Sequence, residues 1–455
     1  METVLRKNDE FLVHIDAYSA EGWGVARVRG RAVFVPRTLV GEDWLIKLVK
    51  VTASAVYARG MELKSASPCR VQPDCPYYGQ CGGCDTRHMS YEEELRFKLR
   101  RVNDALLHIG SQQLQAEEII GCDRVAGYRN KAIFAVAEHD GQPAFGFYRE
   151  RSHDLIPIET CLLQSELSCR AAASVTAFMR EFGIAAYDEE SGKGCVRHVF
   201  CRQAYKGNDA VLCIIAARGF GTNTAALVDR LRRDCPELSG IVLNINKSRG
   251  NTVLAGEFYT LWGSEIICDE LCGLSFNISP QAFFQVNPPQ AERLYERAAA
   301  YAASLSPGLI LDLYCGTGTI GLCLSRCTEQ VIGAEIVPQA VENARENALR
   351  NGIDNAEFIC ADAAQAAQTF LTRGVRPDVI VVDPPRKGLS EDVVDTISML
   401  SPRGVVYVSC NPATLARDLK TLTDGDFAVQ TVQPVDMFPQ TAHVETVVLM
   451  SRIQG

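Results

Sequence analysis

The sequence lacks any stretch near the about 18 uninterrupted apolar residues that a membrane helix needs, and METVLRKNDEFLV at its start has no apolar run behind its charges. We therefore expect no membrane span and no export signal, and we predict a cytoplasmic protein. Positive charge is also scarce, since 46 Lys and Arg residues stand against 55 Asp and Glu residues. A net charge of −9 argues against bulk attraction to nucleic acid, so any RNA partner must be held by a local basic surface.

Apolar residues and cysteines, by contrast, are plentiful. The 455 residues are 47% hydrophobic, which predicts a folded chain of two to four domains. With no export signal, the 18 cysteines are expected in a reducing compartment, where clustered thiols bind metals or do chemistry more often than they form disulfides.

The first 60 residues and the region from 120 to 275 differ in pattern. Short apolar runs broken by glycines predict a small β-barrel at the start, with strands near 11–15, 25–28, 32–35 and 44–51. Apolar residues at helical spacing predict a helix over 91–107, whose other face, with Arg96, Lys98, Arg100 and Arg101, we interpret as solvated. Mixed strands and helices then predict an α+β region, with strands near 132–137, 210–216, 240–246 and 251–255.

From about residue 300, aliphatic runs alternate with helix-length segments. The runs lie at 309–313, 331–334, 357–360, 378–382, 405–408 and 444–450. This alternation predicts an open, mostly parallel α/β sheet that binds its ligand at the carboxyl ends of the strands.

A glycine-rich loop follows the first of these strands. Gly316, Gly318 and Gly321 suit a backbone that turns sharply and approaches a ligand at a helix N-terminus. Glu335 lies 19 residues beyond Gly316, near the offset expected of a carboxylate that accepts ribose hydroxyls. These two features suit NAD and S-adenosylmethionine equally.

Three aspartates favour S-adenosylmethionine. Asp312 precedes the glycines, Asp362 follows the third strand, and Asp383 opens the sequence DPPR after the fourth strand. Together they look like the motif set of S-adenosylmethionine-dependent methyltransferases, although Asp312 and Asp362 could each merely cap a helix.

A cysteine and a glutamate are candidates for chemistry in the same crevice. Cys410 follows the fifth strand directly, and a helix beginning near Pro412 would help to lower the pKa of its thiol. Glu445 begins the last strand, where partial burial would raise the pKa of its carboxyl toward that of a working general base. In isolation, a buried structural thiol and a surface carboxylate are the ordinary alternatives.

Several long motifs in this order resemble the RNA (uracil-5-)-methyltransferases. They are CPYYGQCGGC (75–84), SPQAFFQVN (279–287), LDLYCGTGT (311–319), VVDPPRKG (381–388), VSCNPATLARDL (408–419) and HVETV (443–447). The resemblance covers essentially the whole chain, because the N-terminal barrel is similar to the TRAM module that precedes many members. It implies that Cys410 adds to C6 of a uracil and that Glu445 removes the C5 proton after methylation.

The resemblance also implies a set of residues that bind the cofactor S-adenosylmethionine. They are Gln285, Tyr314, Glu335 and Asp383, with Thr319 and Asp362 as further members. Phe283 could stack on the extruded base, or it could be a plain core residue. Arg386 stands where amino-group methyltransferases usually have an aromatic residue, which counts against adenine or cytosine N-methylation. Pro385 stands where cytosine-5 RNA methyltransferases carry an additional cysteine, which counts against them.

The N-terminal cysteine cluster has two interpretations. Spacing alone prefers a tetrahedral zinc site on Cys69, Cys75, Cys81 and Cys84. The family resemblance instead implies a [4Fe–4S] cluster on Cys75, Cys81, Cys84 and the distant Cys161, which leaves Cys69 as a bystander. We favour the iron–sulfur cluster, in a structural or RNA-positioning role, because methyl transfer moves no net electrons.

These expectations combine into one hypothesis. Residues 1–62 form a TRAM-like β-barrel, 63–275 a central RNA-binding α+β domain with the iron–sulfur cysteines, and 276–455 a Rossmann-like class I methyltransferase domain. The barrel, the basic helix and the segment 127–131 form a composite RNA surface. We expect a monomer that methylates 23S ribosomal RNA, with transfer RNA as the second candidate. The rivals are a non-catalytic iron–sulfur RNA-binding protein and an NAD-dependent enzyme, and the latter leaves SCNP and DPPR unexplained.

Overall fold

The N-terminal region forms a six-stranded sheet. A computed structural model describes residues 5–150, 152–250 and 252–453. The strands are β1 (Glu10–His14), β2 (Ala17–Tyr18), β3 (Gly24–Val28), β4 (Arg31–Val35), β5 (Asp43–Val51) and β6 (Val56–Ser65), in the spatial order β1-β5-β6-β4-β3-β2. Alternate residues such as Val33, Val35, Ile46 and Leu48 bury their side chains in one apolar cluster. The four predicted strands coincide with β1, β3, β4 and β5, whereas the sequence patterns missed β2 and β6.

Helix α1 (Tyr91–His108) follows a loop that carries four cysteines. Ser90 caps its N-terminus by accepting a hydrogen bond from the Glu93 N–H. The prediction that its cationic face is solvated is wrong for Lys98, whose side chain is fully buried. The cause is tertiary, because a partner carboxylate comes from Asp436, far along the chain.

The central region is a seven-stranded sheet with helices α2 (Glu166–Glu181) and α3 (Thr224–Asp234). Its strands are β7 (Lys131–His139), β8 (Gln142–Tyr148), β9 (Leu155–Pro157), β10 (Val196–Gln203), β11 (Ala210–Ala216), β12 (Gly240–Ile245) and β13 (Glu257–Gly263), in the spatial order β13-β12-β11-β10-β7-β8-β9. The prediction of a strand at 251–255 is wrong for 252–255, which lie outside any strand, and Asn251 lies outside the described residues. The strand begins at Glu257.

The hairpin β14 (Ile267–Leu271) and β15 (Leu274–Ile278) leads into the C-terminal α/β region. Its strands are β16 (Leu309–Leu313), β17 (Gln330–Glu335), β18 (Ala356–Cys360), β19 (Val379–Val382), β20 (Gly404–Ser409), β21 (Phe427–Val435) and β22 (Glu445–Arg452), in the spatial order β18-β17-β16-β19-β20-β22-β21. Its helices are α4 (Pro288–Ala303), α5 (Thr319–Leu324), α6 (Pro338–Arg350), α7 (Ala363–Thr372), α8 (Glu391–Leu400) and α9 (Pro412–Asp424).

The seven-stranded sheet of the C-terminal region is mostly parallel, as the alternation of strands and helices predicts. β16, β17, β18, β19 and β20 run parallel, whereas β22 is antiparallel to both of its neighbours, β20 and β21. The chain proceeds to one side from β16 to β18 and then to the other side from β19, so the strand order reverses between β16 and β19. Ligands of open α/β sheets bind at the carboxyl ends of the strands beside such a reversal. Within the described ranges, no helix has the length and apolarity that crossing a bilayer requires.

Candidate active site

The glycine loop after β16 is shaped by three left-handed residues and one carboxylate. Tyr314, Gly316 and Gly318 have φ values of 67°, 56° and 81°. A side chain at Gly316 would meet no atom within 4 Å, so its backbone faces open space. Glu335, at the end of β17, accepts hydrogen bonds from the N–H of Gly316 at 3.1 Å and of Val337 at 2.9 Å. The loop therefore presents an open backbone cradle, with Glu335 beside it.

The two aspartates that could cap helices behave differently. Asp362 does cap α7, because it accepts a hydrogen bond from the Ala364 N–H at 3.0 Å. Asp312 does not cap a helix: it lies fully buried in β16, and neither carboxyl oxygen has a hydrogen-bond partner. Burial, with the charges of Asp383 and Glu335, raises the pKa of Asp312 to about 8.

Tyr295 of α4 connects several of the predicted cofactor residues. Its buried phenol interacts with the side chains of Thr319 and Gln285, and it also lies within the field of Asp383. Sequence reasoning missed Tyr295, because a tyrosine on the apolar side of a helix is indistinguishable from a core residue. The segment that carries Gln285 also presents Phe283, whose side chain is 63% exposed. The interpretation of Phe283 as plain core is therefore wrong.

Cys410 and Glu445 meet at the end of two paired strands. β20 and β22 are antiparallel, with Ser409 opposite Thr446, so the next position in this register places Cys410 opposite Glu445. Glu445 is buried at 4% exposure, whereas Cys410 is partly exposed. Asp383 and Arg386 also act on the pKa values of both groups, so the four residues share one site.

The thiol of Cys410 has a raised pKa, not the lowered one expected from the helix N-terminus. Burial and the carboxyls of Glu445 and Asp383 together raise it to about 11 and outweigh the opposing effect of Arg386. The helix end contributes little, because Asn411 already accepts the Ala413 N–H at 3.1 Å. The sequence patterns could not show that two carboxyls lie next to the sulfur.

Both carboxyls in this site are poised near neutral pH. Burial raises the pKa of Glu445 to about 8, and Asp383 adds to the shift while Arg386 opposes it. Burial alone raises the pKa of Asp383 to about 7. Groups with such pKa values can both accept and return a proton at physiological pH.

The segment 436–444, which leads directly into Glu445, is held by a buried ion-pair network, here called the Lys98 network. Lys98 Nζ lies 2.6 Å from Glu94 Oε1 and 2.6 Å from Asp436 Oδ1, and it donates to the Phe438 carbonyl at 3.1 Å. All three charged side chains are fully buried. Glu94 also accepts the Gln440 N–H at 2.7 Å. Helix α1 therefore fixes the approach to Glu445.

The cysteine loop contacts the same segment. The N–H of Asp85 donates to the Gln440 carbonyl at 2.9 Å, and the Asp85 carboxylate accepts the Ala442 N–H at 2.9 Å. Asp85 directly follows Cys84. The cysteine loop and the segment before Glu445 are thus joined by one main-chain hydrogen bond and one hydrogen bond from a main-chain N–H to a side-chain carboxylate.

Cys75, Cys81, Cys84 and Cys161 line one cavity of about 120 Å³. Cys69 is absent from this lining, and Arg96 donates a hydrogen bond to its sulfur at 3.2 Å. Burial, with neighbouring sulfurs, raises the pKa of the Cys81 thiol and takes that of Cys84 to about 12. Within the described part of the chain, no group of three or more Cys, His, Asp or Glu side chains is close enough to hold a metal ion.

The predicted RNA surface is only partly exposed. In the segment 127–131, Tyr128 and Asn130 are buried, and Arg129 and Lys131 are half-buried. Tyr128 donates to the Pro439 carbonyl at 3.0 Å, so this segment packs against the one that leads to Glu445. A separate groove of about 300 Å³ lies between the N-terminal sheet, α1 and the start of α9, with Arg100, Arg101 and Ala413 in its lining.

Comparisons with known proteins identify the family to which the chain is similar. The family model described as tRNA (uracil-5-)-methyltransferase matches residues 270–453. A Clostridium acetobutylicum protein described as an uncharacterized RNA methyltransferase is 39% identical over 100% of both chains. One from Halalkalibacterium halodurans, described in the same words, is 41% identical over 98% of both chains.

One solved structure resembles nearly the whole chain. The Pyrococcus abyssi tRNA (uracil-54, C5)-methyltransferase, determined in complex with S-adenosyl-L-homocysteine, superposes with a TM-score of 0.79 at 27% identity. The match covers 96% of this chain and 99% of that one, so it includes the N-terminal sheet as well as the α/β region.

Proposed function

The chain belongs to the S-adenosylmethionine-dependent RNA (uracil-5-)-methyltransferase family, and from that premise we propose that it methylates C5 of a uridine in 23S ribosomal RNA through a covalent Cys410 adduct. The observation that carries the proposal is the register of β20 and β22, which places Cys410 opposite Glu445 beside Asp383. A nucleophile and a base at one site are what methylation of an unactivated pyrimidine carbon requires.

The crevice fits a positively charged adenosine cofactor. Gly316 leaves space for a ligand, and Asp312 has two buried oxygens without partners. Burial raises the pKa of both Asp312 and Asp383, and a cationic ligand in the crevice would stabilise their charged forms. We assign the cofactor contacts to Gln285, Tyr314, Glu335 and Asp383, with Thr319 and Asp362 as further members. S-adenosylmethionine supplies the methyl group from its sulfonium.

The chain's own residues carry the remaining steps. The Cys410 sulfur bonds to C6 of uracil, and the electron pair of the C5–C6 double bond moves toward C5, which becomes nucleophilic. After C5 is methylated, Glu445 takes its proton, the double bond re-forms and the thiolate leaves. The raised pKa of the thiol means that it must lose its proton on attack. The neighbouring Asp383 carboxylate can accept that proton, which leaves Glu445 ionised for the C5 proton. Exposed Phe283 is placed to stack on an extruded base.

The cysteine cavity supports a [4Fe–4S] cluster on Cys75, Cys81, Cys84 and Cys161. A zinc ion needs its sulfurs gathered at about 2.3 Å from one metal atom, whereas a four-iron cluster offers a separate iron to each cysteine and spaces the sulfurs farther apart. The four cysteines that line this one cavity are the ligand set that the family resemblance implies for the cluster. Because Asp85 bonds to the segment before Glu445, we assign the cluster a structural role.

Transfer RNA is the second candidate substrate. It is favoured by the similarity to the Pyrococcus abyssi enzyme, whose described substrate is uracil 54 of transfer RNA. That match includes the N-terminal sheet, so a TRAM-like module does not separate the two RNAs. The case for 23S ribosomal RNA rests on the family resemblance alone, in which members with a TRAM module typically modify that RNA.

A methyl-transfer assay tests the proposal. Purified protein receives labelled S-adenosylmethionine and unmodified transcripts of 23S ribosomal RNA or transfer RNA. We expect 5-methyluridine in the ribosomal transcript, loss of label in Cys410→Ala, and retained label in the control Cys268→Ala, whose cysteine is also partly exposed. Label only in transfer RNA would refute the ribosomal substrate. An absence of label in both RNAs would favour a non-catalytic RNA-binding protein.

A further inference from the structure

Three cations converge on one face of the central sheet. Lys131 of β7 lies directly opposite Arg202 of β10 in the antiparallel register, so their side chains point to the same side. Arg129 lies two residues before Lys131. Both Arg202 and Arg129, together with burial, lower the pKa of the Lys131 ammonium to about 8, which shows that the three charges share one region.

In this group of cations, here called the Lys131 cluster, Arg129 has counter-charges, whereas Lys131 and Arg202 do not. Arg129 lines the cysteine cavity, and the sulfurs of Cys84 and Cys161 help to raise the pKa of its guanidinium. No carboxylate of the described residues contributes to the field at Lys131 or Arg202. Arg202 is 2% exposed, and its Nη1 donates to the carbonyls of Ser279 at 2.9 Å and Ala282 at 3.0 Å. Its Nε and Nη2, however, have no hydrogen-bond partner. Like charges in direct opposition and unmet buried donors both destabilise the free protein.

The Lys131 cluster borders the segment that presents Phe283. Arg202 holds the carbonyls of Ser279 and Ala282, the latter directly before Phe283. From the other side, Asn130 donates to the Gln285 carbonyl at 3.2 Å. Arg129 also acts on His443, two residues before Glu445. The cluster is therefore close to where an extruded base would enter.

We propose that Lys131, Arg129 and Arg202 bind a backbone phosphate of the RNA beside the target uridine. This inference rests on the proposed function and adds a specific contact to it. A phosphate supplies the acceptor oxygens that Arg202 lacks and a negative charge for Lys131 and Arg202, and Arg129 adds a third positive charge nearby. Lys131 and Arg129 are half-buried, so a ligand can reach them from solvent, whereas Arg202, opposite Lys131 on the neighbouring strand, is buried.

The test is the salt dependence of RNA binding by Lys131→Gln. Filter binding of an unmodified 23S ribosomal RNA transcript is measured over a range of salt concentrations for the wild type and the variant. Loss of one phosphate contact should reduce the slope of log K against log salt by about 0.7 to 1. Lys193→Gln is the matched control, because Lys193 is an exposed lysine before the opposite end of β10, and its slope should equal that of the wild type. Lys131→Arg should retain the wild-type slope.

Two further measurements separate the possible outcomes. S-adenosylhomocysteine affinity without RNA should be unchanged in Lys131→Gln, and its thermal midpoint should not fall, since the substitution relieves repulsion. If the salt slope of Lys131→Gln equals that of the wild type, the inference is wrong. If the slope is unchanged but S-adenosylhomocysteine affinity is lost, the cluster binds the carboxylate of the cofactor instead. If the wild type transfers no methyl group but the slopes differ as expected, the proposed function fails while the phosphate site stands.

Discussion

Replacing Lys98 with methionine should loosen the segment that delivers Glu445. The substitution keeps the length of the side chain but leaves Glu94 and Asp436 as two buried carboxyls without their shared cation. Removing one partner from a buried ion pair costs about 3–5 kcal/mol, because an uncompensated charge remains. Since Glu94 accepts the Gln440 N–H and Lys98 bonds the Phe438 carbonyl, this cost falls on residues 436–444.

Hydrogen exchange of the 436–444 amides measures the effect. At 1.4 kcal/mol per factor of ten, 3–5 kcal/mol corresponds to exchange faster by roughly 100- to 4,000-fold at Gln440 and its neighbours. The loss should shrink as the pH falls, because burial raises the pKa of Glu94, which becomes neutral in acid. Methyl transfer should lose kcat more than KM, since the base is displaced while the RNA surface is kept.

Lys64→Met is the control for this prediction. Lys64 Nζ lies at the same 2.6 Å from its partner, Glu62, but both side chains are about half exposed. Surface ion pairs contribute about 0–1 kcal/mol, so this variant should leave exchange in 436–444 unchanged. If Lys98→Met raises exchange there no more than Lys64→Met does, the Lys98 network does not position Glu445.

Three further predictions concern the titrating groups and the cysteine cavity. Because the pKa of Glu445 rises from 4.5 unfolded to about 8 folded, the wild type should lose stability as the pH rises through that window. The thermal midpoint of Glu445→Gln should therefore rise relative to that of the wild type as the pH increases from 5 to 8. If this rise is no larger than that of the exposed control Glu346→Gln, the prediction is wrong. Since Glu445 must be ionised to accept a proton, kcat/KM should rise between pH 7 and pH 9, and a falling profile would exclude it as the base. Anaerobically purified Cys81→Ser should lose iron and visible absorbance while Cys69→Ser keeps both, and a colourless wild type containing zinc would refute the cluster.

The sequence predicted strands correctly where an uninterrupted run of aliphatic residues forms the strand. The run 309–313 coincides with β16 and the run 210–216 with β11, because uninterrupted aliphatic residues suit strands buried on both faces. β21 was missed because Gln430, Thr431 and Gln433 interrupt its apolar residues. It is an edge strand, and its pairing with β22 depends on the tertiary structure, which the local sequence does not show.

The candidate site was predictable in position but not in its electrostatics. The order of the motifs and their positions at strand ends predict that Cys410, Glu445 and Asp383 lie in one crevice. The register of β20 and β22 and the mutual effects of these residues on pKa agree with that prediction. The pKa of the Cys410 thiol was predicted in the wrong direction, because the neighbouring carboxyls come from other strands. Tyr295 and Lys98 could not be found from the sequence either, since each gains its role only from residues far along the chain.

The most direct test of the central claim is the identity of the cysteine that binds RNA. Glu445→Gln, given S-adenosylmethionine and substrate RNA, should stall after methylation and accumulate a protein–RNA adduct on denaturing gels. After nuclease and trypsin digestion, mass spectrometry should find a methylated uridine nucleotide on the peptide 404–417, which contains Cys410, and no adduct in Cys410→Ala, Glu445→Gln. An adduct on another of the 18 cysteines, or turnover without any adduct, would contradict the account.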